Sequence, residues 1–166
     1  MPEIRKAKSE DAVGLIELFK KLDEETTFML FEHGERIITV EQQIARLNAF
    51  GSSQTETMFV AESAGSLVGF SVAVGGSANR NRHSVHIVAG VLRNYWNQGF
   101  GQALMRAVEI WAIEKDMHRL ELSVLADNAK AISLYEKSGF EREGIKRDAL
   151  RVDDKYVNEI YMSKLI

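Results

Sequence analysis

Two glycines, one residue apart, follow a run of apolar and β-branched residues in the middle of this 166-residue chain. Gly99 and Gly101 come after Val91 and lead directly into Gln102 and Ala103, which predicts a strand, a tight turn and then a helix. Glycine lets backbone N–H groups approach a ligand closely, and the start of a helix adds unpaired donors and the positive end of a dipole. The junction therefore suggests a phosphate site, although the same residues would also form a plain strand-to-helix turn.

Two common phosphate motifs do not fit these glycines. A P-loop ends in Gly-Lys-Ser/Thr, whereas Gly99 is followed by Phe100-Gly101-Gln102 and offers neither the lysine nor the hydroxyl. A dinucleotide fingerprint needs a third glycine three residues after Gly101, where Leu104 stands, and it normally opens the first strand–helix–strand unit of a domain. A nucleoside triphosphatase and a nicotinamide-dependent oxidoreductase are therefore disfavoured.

Composition narrows the class of protein further. A chain of 166 residues with 45% hydrophobic residues is the size of one compact domain, and we expect a single domain over residues 1–166. There is no cysteine, which excludes disulfides, thiolate catalysis and cysteine-bound metals, and we expect no metal. A formal net charge of -3 argues against nucleic acid as a partner. With no apolar span and no signal-peptide core, we expect a cytoplasmic protein that does not enter the membrane.

Strand and helix patterns alternate along the chain and position the glycine turn. Ser9 is the expected N-cap of a first helix through Leu22, a second helix runs from Val40 to about Gly51, and Met58–Ala61 and Leu67–Val74 form a hairpin. The same patterns predict a strand over His83–Val91, a helix carrying Ala103 to Ala112 and a strand over Leu120–Leu125. A helix capped by Asn128 and closed by Gly139 follows, and the last two predicted strands are Phe140–Ile145 and Tyr156–Met162.

The strand–helix–strand succession around the glycine turn implies a right-handed crossover. Val85–Val91 and Leu120–Leu125 should then be neighbouring parallel strands, and both Gly99 and Asn128 would lie at the carboxyl edge of that pair. This edge is where open α/β sheets bind their ligands.

These motifs resemble the Gcn5-related N-acetyltransferase (GNAT) family. The family signature is Gln/Arg-x-x-Gly-x-Gly/Ala after a strand and a valine, followed about 27 residues later by Asn-x-x-Ala-x-x-x-Tyr and a Gly-Phe pair. The matching positions here are Val91, Gly99, Gly101, Asn128, Ala131, Tyr135 and Gly139-Phe140, and Trp96 stands where the first Gln or Arg is expected. The resemblance implies an α/β GNAT fold with a mixed central sheet of about six to seven strands, a parallel splay and about four helices.

The resemblance also implies acetyl-CoA as co-substrate. Main-chain groups of Ala89, Gly90 and Val91 would pair with the pantetheine arm as an added strand, and Asn128 would contact the pantetheine as well as cap its helix. The backbone N–H groups that would cradle the pyrophosphate belong to Asn97, Gln98, Gly99, Phe100, Gly101 and Gln102.

Acetyl transfer to an amine needs an acid for the departing thiolate and a base for the amine. Tyr135 resembles the family's general acid on the CoA sulfur, although a tyrosine beside Leu134 could simply belong to the core. His86 interrupts an apolar strand and is the candidate base at the place where many relatives carry a glutamate, although a histidine in a strand is more often structural. His83 and Glu32 are weaker options for the base.

The amine acceptor should meet the segments that vary most within such a scaffold. Phe28 and Phe31 would wall an apolar cleft and Glu32 would face a cationic amine, with a second contribution from the 146–156 segment. A partly buried loop with a solvated acidic end explains the same residues equally well. The tail resembles bacterial members that acetylate small amines, amino acids or protein N-termini, without choosing among them.

Two functions from different classes remain open. The first is an N-acetyltransferase that transfers acetyl directly from acetyl-CoA to a primary amine, and the second is a non-catalytic acyl-CoA-binding or sensing module. Tyr135 favours the enzyme, because a binding module has no use for an acid beside the sulfur. A homodimer is expected, on the argument that an exposed C-terminal strand over Val157–Leu165 would pair or pack across a two-fold axis.

Overall fold

The computed structural model describes residues 2–166 and places them around one seven-stranded sheet. Its strands follow the order β1-β2-β3-β4-β5-β7-β6, and four α-helices connect or flank them. The elements are β1 (Glu3–Lys6), α1 (Ala12–Glu25), α2 (Val40–Ser52), β2 (Glu56–Ser63), β3 (Ser66–Gly75), β4 (Ser84–Val91), α3 (Phe100–Glu114), β5 (Arg119–Leu125), α4 (Ala129–Lys137), β6 (Glu141–Val152) and β7 (Lys155–Leu165).

The sheet is mixed, and the predicted α/β fold with one parallel pair is confirmed. β4 and β5 run parallel, whereas the other neighbouring strands pair antiparallel. The crossover from β4 to β5 runs through α3, as the strand–helix–strand pattern predicted. The seven strands and four helices agree with the predicted numbers.

Helices cover both faces of the sheet. Phe19 of α1 packs edge-on against Phe70 of β3, with ring centroids 4.8 Å apart, and so α1 covers one face. On the other face, a Cβ added to Gly69 of β3 would lie 3.3 Å from Leu104 of α3. The apolar stripe predicted for α3 is buried, because it fills the space between the helix and this second face.

The beginning of α1 differs from its prediction. Ser9 is not the N-cap, because a 3-10 turn over Ser9–Asp11 precedes the helix and Asp11 takes the capping position. The Asp11 carboxylate is buried and accepts hydrogen bonds from the main-chain N–H of Lys8 at 2.9 Å and from Arg5 at 2.8 Å. These bonds, which reach back to β1, decide where the helix starts.

The C-terminal hairpin is longer than the sequence pattern suggested. β6 extends to Val152 and β7 starts at Lys155, so the 146–156 segment, which was predicted to contribute to the acceptor site, is mostly strand. β7 pairs with β5 on one side and β6 on the other, and β6 is the edge strand. The argument that β7 offers a free edge was therefore wrong, while the homodimer and the single domain stay predictions.

Among residues 2–166, no helix is both long and apolar enough to span a membrane.

Candidate functional site

The two parallel strands separate after three residue pairs. Ser84, Val85 and His86 of β4 pair with Arg119, Leu120 and Glu121 of β5, and the described ladder stops there. Beyond His86, β4 continues along its other neighbour, where Ala89, Gly90 and Val91 pair with Ser71, Phe70 and Gly69 of β3. The edge of β4 that faces β5 is thus open at the three residues predicted for the pantetheine arm. Such an edge can accept an extended ligand through main-chain hydrogen bonds.

Gly90 lets α1 and the following loop reach β4 beside this opening. A Cβ at Gly90 would lie 3.0 Å from Phe70 Cε1, 3.2 Å from Leu22 Cδ1 and 3.6 Å from Met29 Sδ. A larger residue would therefore push Leu22 of α1 and Met29 away from the strand. The loop between α1 and α2 therefore contacts the sheet next to the open edge through Met29.

The six residues predicted as a phosphate cradle form one continuous turn. Asn97 and Gly99 have φ of 60° and 86°, and α3 begins at Phe100 with Gly99 as its N-cap. Phe100, Gly101 and Gln102 are therefore the first helical turn, whose N–H groups have no partner within the helix. The side-chain amide of Gln98 donates to the Asn94 carbonyl at 2.7 Å and stabilises the turn.

Glycine is favoured at positions 99 and 101 for different reasons. Gly99 occupies the left-handed region, which strongly favours glycine, and a Cβ added there would have Pro2 Cγ, at 3.8 Å, as its nearest atom outside the adjoining residues. Gly101 has ordinary helical geometry, but a Cβ there would lie 2.8 Å from Leu134 Cδ2. The sequence predicted a glycine here because a ligand would approach the backbone closely. The structure adds a second reason, since the contact between α3 and α4 leaves little room for a side chain at Gly101.

Trp96 stands just before the turn and is anchored to the end of β4. Its indole Nε1 donates to the Val91 carbonyl at 2.7 Å, and the ring is half-buried. The Cζ of Arg93 lies 5.6 Å from the ring centroid and the Nζ of Lys130 lies 4.7 Å from it. Trp96 therefore occupies one acceptor position on Val91 and connects β4 to the first turn of α4.

Helix α4 follows β5 and carries Asn128 and Tyr135. Asn128 is the predicted N-cap, since its Oδ1 accepts the Ala131 N–H at 3.3 Å. Tyr135, seven residues later, is buried and its ring centroid lies 6.0 Å from that of Phe140. Both interpretations of Tyr135 fit its position, because a core residue and an acid at the base of the opening need the same burial.

The environment of Tyr135 determines its protonation. Burial removes water from the hydroxyl and raises the pKa of Tyr135 to about 12. The hydroxyl makes no hydrogen bond within residues 2–166, yet it is not among the side-chain atoms that are fully buried without a partner. The hydroxyl is therefore protonated and neutral at physiological pH.

His86 lies on the exposed face of β4, at the last pair of the parallel ladder. It borders a cavity of about 250 Å³ at the point where β4 and β5 begin to separate. The cavity is lined by His86, Arg119, Glu121, Leu122, Ser123, Tyr161 and Met162. Of the predicted bases, His86 is the one beside this cavity.

The other two candidate bases lie elsewhere. His83 precedes β4, about 10 Å along the strand from His86 and away from the open end, at ~3.3 Å per residue. Its carbonyl accepts the N–H groups of His118 and Arg119 at 2.9 and 3.1 Å, which is a structural role. Glu32 is exposed in the loop between α1 and α2, where its N–H donates to Glu35 at 2.9 Å.

The cavity lining carries one cation, Arg119, and one carboxylate, Glu121. The guanidinium of Arg119 donates to Glu121 at 2.9 Å and to both oxygens of Glu143 at 2.7 and 2.8 Å. Hydrogen bonding from Arg119, supported by Ser163, lowers the pKa of Glu143 to about 2. The guanidinium of Arg119 thus binds two carboxylates, of which Glu121 lines the cavity.

The predicted acceptor residues lie in the loop of residues 26–39, and one ion pair supports this loop. Arg36 donates to the buried Asp23 carboxylate at 2.9 and 3.2 Å. Its Cζ lies 4.7 Å from the ring centroid of Phe19 and 4.6 Å from that of Phe31. Phe31 therefore has one ring face on Arg36, while Phe28 is half-buried in the same loop.

The sequence analysis missed Glu121, Ser123, Tyr161 and Arg36. Alternation along β5 does place Glu121 and Ser123 opposite the apolar residues, which is a readable signal of an exposed face. Their position beside His86, however, depends on the strand register. Within residues 2–166 no group of three or more acidic or histidine side chains lies close enough to hold a metal ion.

Comparisons with known proteins agree with this geometry. Residues 15–140 match the acetyltransferase (GNAT) family. An acetyltransferase of Yersinia enterocolitica is 28% identical over 122 residues, which are 74% of this chain and 84% of that protein. A GNAT-family acetyltransferase from Streptococcus pneumoniae superposes with a TM-score of 0.95 at 28% identity, covering 100% of this chain and 99% of the other. The Salmonella typhimurium protein yncA, solved with its cofactor acetyl-CoA, has a TM-score of 0.86 at 18% identity over 99% and 93% of the two chains.

Proposed function

Because this chain belongs to the acetyltransferase (GNAT) family, we propose that it transfers an acetyl group from acetyl-CoA to the primary amine of a small molecule, an amino acid or a peptide N-terminus. The observation that carries the proposal is the open edge of β4 beyond His86, which leads directly to the turn that begins α3. An extended arm and a diphosphate need these two features in this order along one strand.

The donor would be held mainly by backbone groups. Ala89, Gly90 and Val91 offer their free edge to the pantetheine arm, and the N–H groups of residues 97–102 offer donors to the pyrophosphate. Trp96 already donates to the Val91 carbonyl, so the ligand shares that oxygen or bonds to the neighbouring main-chain groups. Asn128 caps α4 with its Oδ1, which leaves its Nδ2 to donate to the arm.

Tyr135 would act on the leaving sulfur. Its hydroxyl remains protonated at neutral pH because burial raises the pKa of Tyr135 to about 12. A protonated hydroxyl donates a hydrogen bond to the thiolate as the carbon–sulfur bond breaks. Full proton delivery can then follow from water, since the opening lies at the surface of the sheet.

His86 would receive the amine proton, directly or through one water. It borders the cavity at the point where the strands separate, next to the open edge proposed for the donor. The carboxylates of Glu121 and Glu143, which share Arg119, would favour an acceptor that arrives as an ammonium ion, and this ion must lose a proton before it attacks. A histidine is suited to that step near neutral pH.

The acceptor class rests on the shape and charge of this region. Met29 reaches β4 at Gly90, and it belongs to the loop of residues 26–39 that also carries Phe28, Phe31 and Glu32. The cavity of about 250 Å³ has room for a short amine or one terminal residue of a peptide rather than a folded surface. The Brucella melitensis ribosomal-protein-alanine N-acetyltransferase has a similar fold, with a TM-score of 0.86 at 24% identity.

Release of free thiol from acetyl-CoA tests the proposal. The purified chain is assayed with polyamines, single amino acids, aminoglycosides and short peptides with free N-termini, and with the same peptides blocked at the N-terminus. We expect release with one of the free amines and none with the blocked peptides. If acetyl-CoA raises the melting temperature but no amine releases thiol, the chain is an acyl-CoA-binding module and the enzyme proposal is wrong.

The same thiol-release assay tests whether His86 is the general base. His86→Ala should remove the dependence of the rate on pH that a histidine base produces. An unchanged pH profile would reject His86 as the base and would turn attention to Glu121, which lies opposite it in the ladder.

A further inference from the structure

The residue that begins the phosphate turn carries no charge in this chain. Trp96 occupies the position before Asn97, and its indole is committed to the Val91 carbonyl at 2.7 Å. An indole has a single donor and no cationic group, so the committed side chain has nothing left to offer a phosphate. Any side-chain cation at this corner must come from another part of the chain.

Two cations flank the indole ring, and they differ in what else they bind. The guanidinium of Arg93 donates to the Glu25 carbonyl at 2.6 Å and its main-chain N–H donates to the Glu25 carboxylate at 2.9 Å, so part of this side chain is committed to the end of α1. It therefore ties the end of α1 to the end of β4. Lys130 has no carboxylate within ion-pair distance among residues 2–166, and its Nζ lies 4.7 Å from the Trp96 ring centroid.

Lys130 reaches this position from the first turn of α4. It is the second residue of that helix, and its exposed side chain extends to the face of Trp96. An aromatic face attracts an ammonium ion but does not neutralise it, so the charge remains available to an anion. The contact restricts a long side chain that would otherwise sample many rotamers, which lowers the entropy lost when an anion binds.

We propose that Lys130, held in place by Trp96, is a side-chain cation of the phosphate site and supplies from α4 the charge that the turn itself lacks. This rests on the proposed function, because the anion is a phosphate of acetyl-CoA bound at the turn of residues 97–102. A lysine ammonium is a point charge suited to phosphate, and a phosphate oxygen within hydrogen-bond distance would replace the aromatic face as its main partner.

Direct binding measurements test the inference without relying on catalysis. The Kd of acetyl-CoA is measured by calorimetry for the wild type, Lys130→Met, Lys130→Arg and the control Lys137→Met, which removes an exposed lysine at the other end of α4. We expect Lys130→Met to raise the Kd about fivefold to tenfold, Lys130→Arg to raise it less than about threefold, and Lys137→Met to leave it unchanged. The dependence of log Kd on log salt should be less steep in Lys130→Met than in the wild type.

A double-mutant cycle tests the role of Trp96. Trp96→Leu removes the ring that holds Lys130, so Lys130→Met should cost clearly less in a Trp96→Leu background than in the wild type. Trp96→Arg places a cation in the turn itself and should make Lys130→Met nearly neutral. Additive effects in both backgrounds would reject the link between Trp96 and Lys130.

Binding of acetyl-CoA and of 3′-dephospho-CoA shows which phosphate Lys130 contacts. The same measurements distinguish a failure of this inference from a failure of the proposed function. If Lys130 serves the 3′-phosphate, 3′-dephospho-CoA binds the wild type and Lys130→Met equally well, and if it serves the pyrophosphate the difference of about fivefold to tenfold persists. Equal affinity of the wild type and Lys130→Met for acetyl-CoA overturns the inference while leaving the proposed function intact. A wild type that does not bind acetyl-CoA at all overturns both.

Discussion

Replacing Tyr135 by phenylalanine removes the proposed acid and leaves the packing of its ring. The ring is buried against Phe140, whereas the hydroxyl makes no hydrogen bond within residues 2–166. The variant should therefore fold with a free energy of unfolding within ~0.5 kcal/mol of the wild type, since no satisfied hydrogen bond is lost. Any large change in rate can then be assigned to the chemistry of the hydroxyl.

The pKa of Tyr135 sets the size of the expected effect. With a pKa of about 12 for the hydroxyl and ~8.5 for an ordinary thiol, complete proton transfer to the thiolate is uphill by about 5 kcal/mol. The hydroxyl should therefore stabilise the thiolate as a hydrogen-bond donor, a contribution of ~1.5 to 3 kcal/mol for a bond to a charged group. This corresponds to a roughly 10-fold to 150-fold loss of kcat in Tyr135→Phe.

The assay is steady-state thiol release with the amine that gives the highest rate. Tyr135→Phe should lower kcat in this range while the KM of acetyl-CoA changes less than about threefold, because the bond forms mainly as the thiolate develops. Tyr156→Phe, on an exposed tyrosine of β7, is the matched control and should behave as the wild type. A kcat within about twofold of the wild type refutes a role for the hydroxyl, and a loss beyond ~10⁴-fold refutes the hydrogen-bond estimate.

Three predictions concern stability. Arg36→Met leaves the buried Asp23 carboxylate without its cation and should lower the free energy of unfolding by ~3 to 5 kcal/mol. Arg36→Lys should recover part of this loss. A melting temperature of Arg36→Met within about 3 °C of the wild type would contradict the prediction. In Gly99→Ala the alanine must adopt a φ of 86°, which should lower the free energy of unfolding by about 1 to 2 kcal/mol in a urea titration. Gly51→Ala, at a glycine of α2 with open space around it, is the control and should leave this free energy unchanged or raise it. The folded pKa of Tyr135 lies above its unfolded value, so ionisation of the hydroxyl disfavours the folded state. This effect is absent below about pH 10 and lowers the free energy of unfolding by ~1.4 kcal/mol per pH unit between about pH 10 and pH 12. Between pH 9 and 11 the wild type should therefore lose more stability than Tyr135→Phe in urea titrations, and equal losses would reject this linkage.

Much of the donor side of the site could be predicted from the sequence, because it depends on local geometry. Glycine in the left-handed region at Gly99, an asparagine cap at Asn128 and the apolar stripe of α3 are each determined within a few residues of chain. Family resemblance added Tyr135 by its spacing of seven from Asn128. The structure places these residues on the elements that their patterns indicated.

The start of α1 and the lengths of β6 and β7 were predicted incorrectly, because they depend on contacts with residues outside the local sequence pattern. Ser9 looks like a helix cap from its own neighbours, but Asp11 is drawn to Arg5 and Lys8 and takes that position. The extra length of β6 and β7 arises because the two strands pair with each other through residues that carry no apolar alternation. Hydrogen bonding across a ladder can extend a strand beyond its hydrophobic pattern.

The sequence by itself determined the order of the elements, the turn that begins α3 and the helix that carries Asn128 and Tyr135, because backbone preference and hydrophobic period act over short distances. Only the tertiary structure decided that the β4–β5 ladder ends at His86 and Glu121, that Gly101 faces Leu134, and that Lys130 meets Trp96. These contacts join segments that are far apart in the chain, and their register follows from how the whole sheet and its helices pack, which no local pattern encodes.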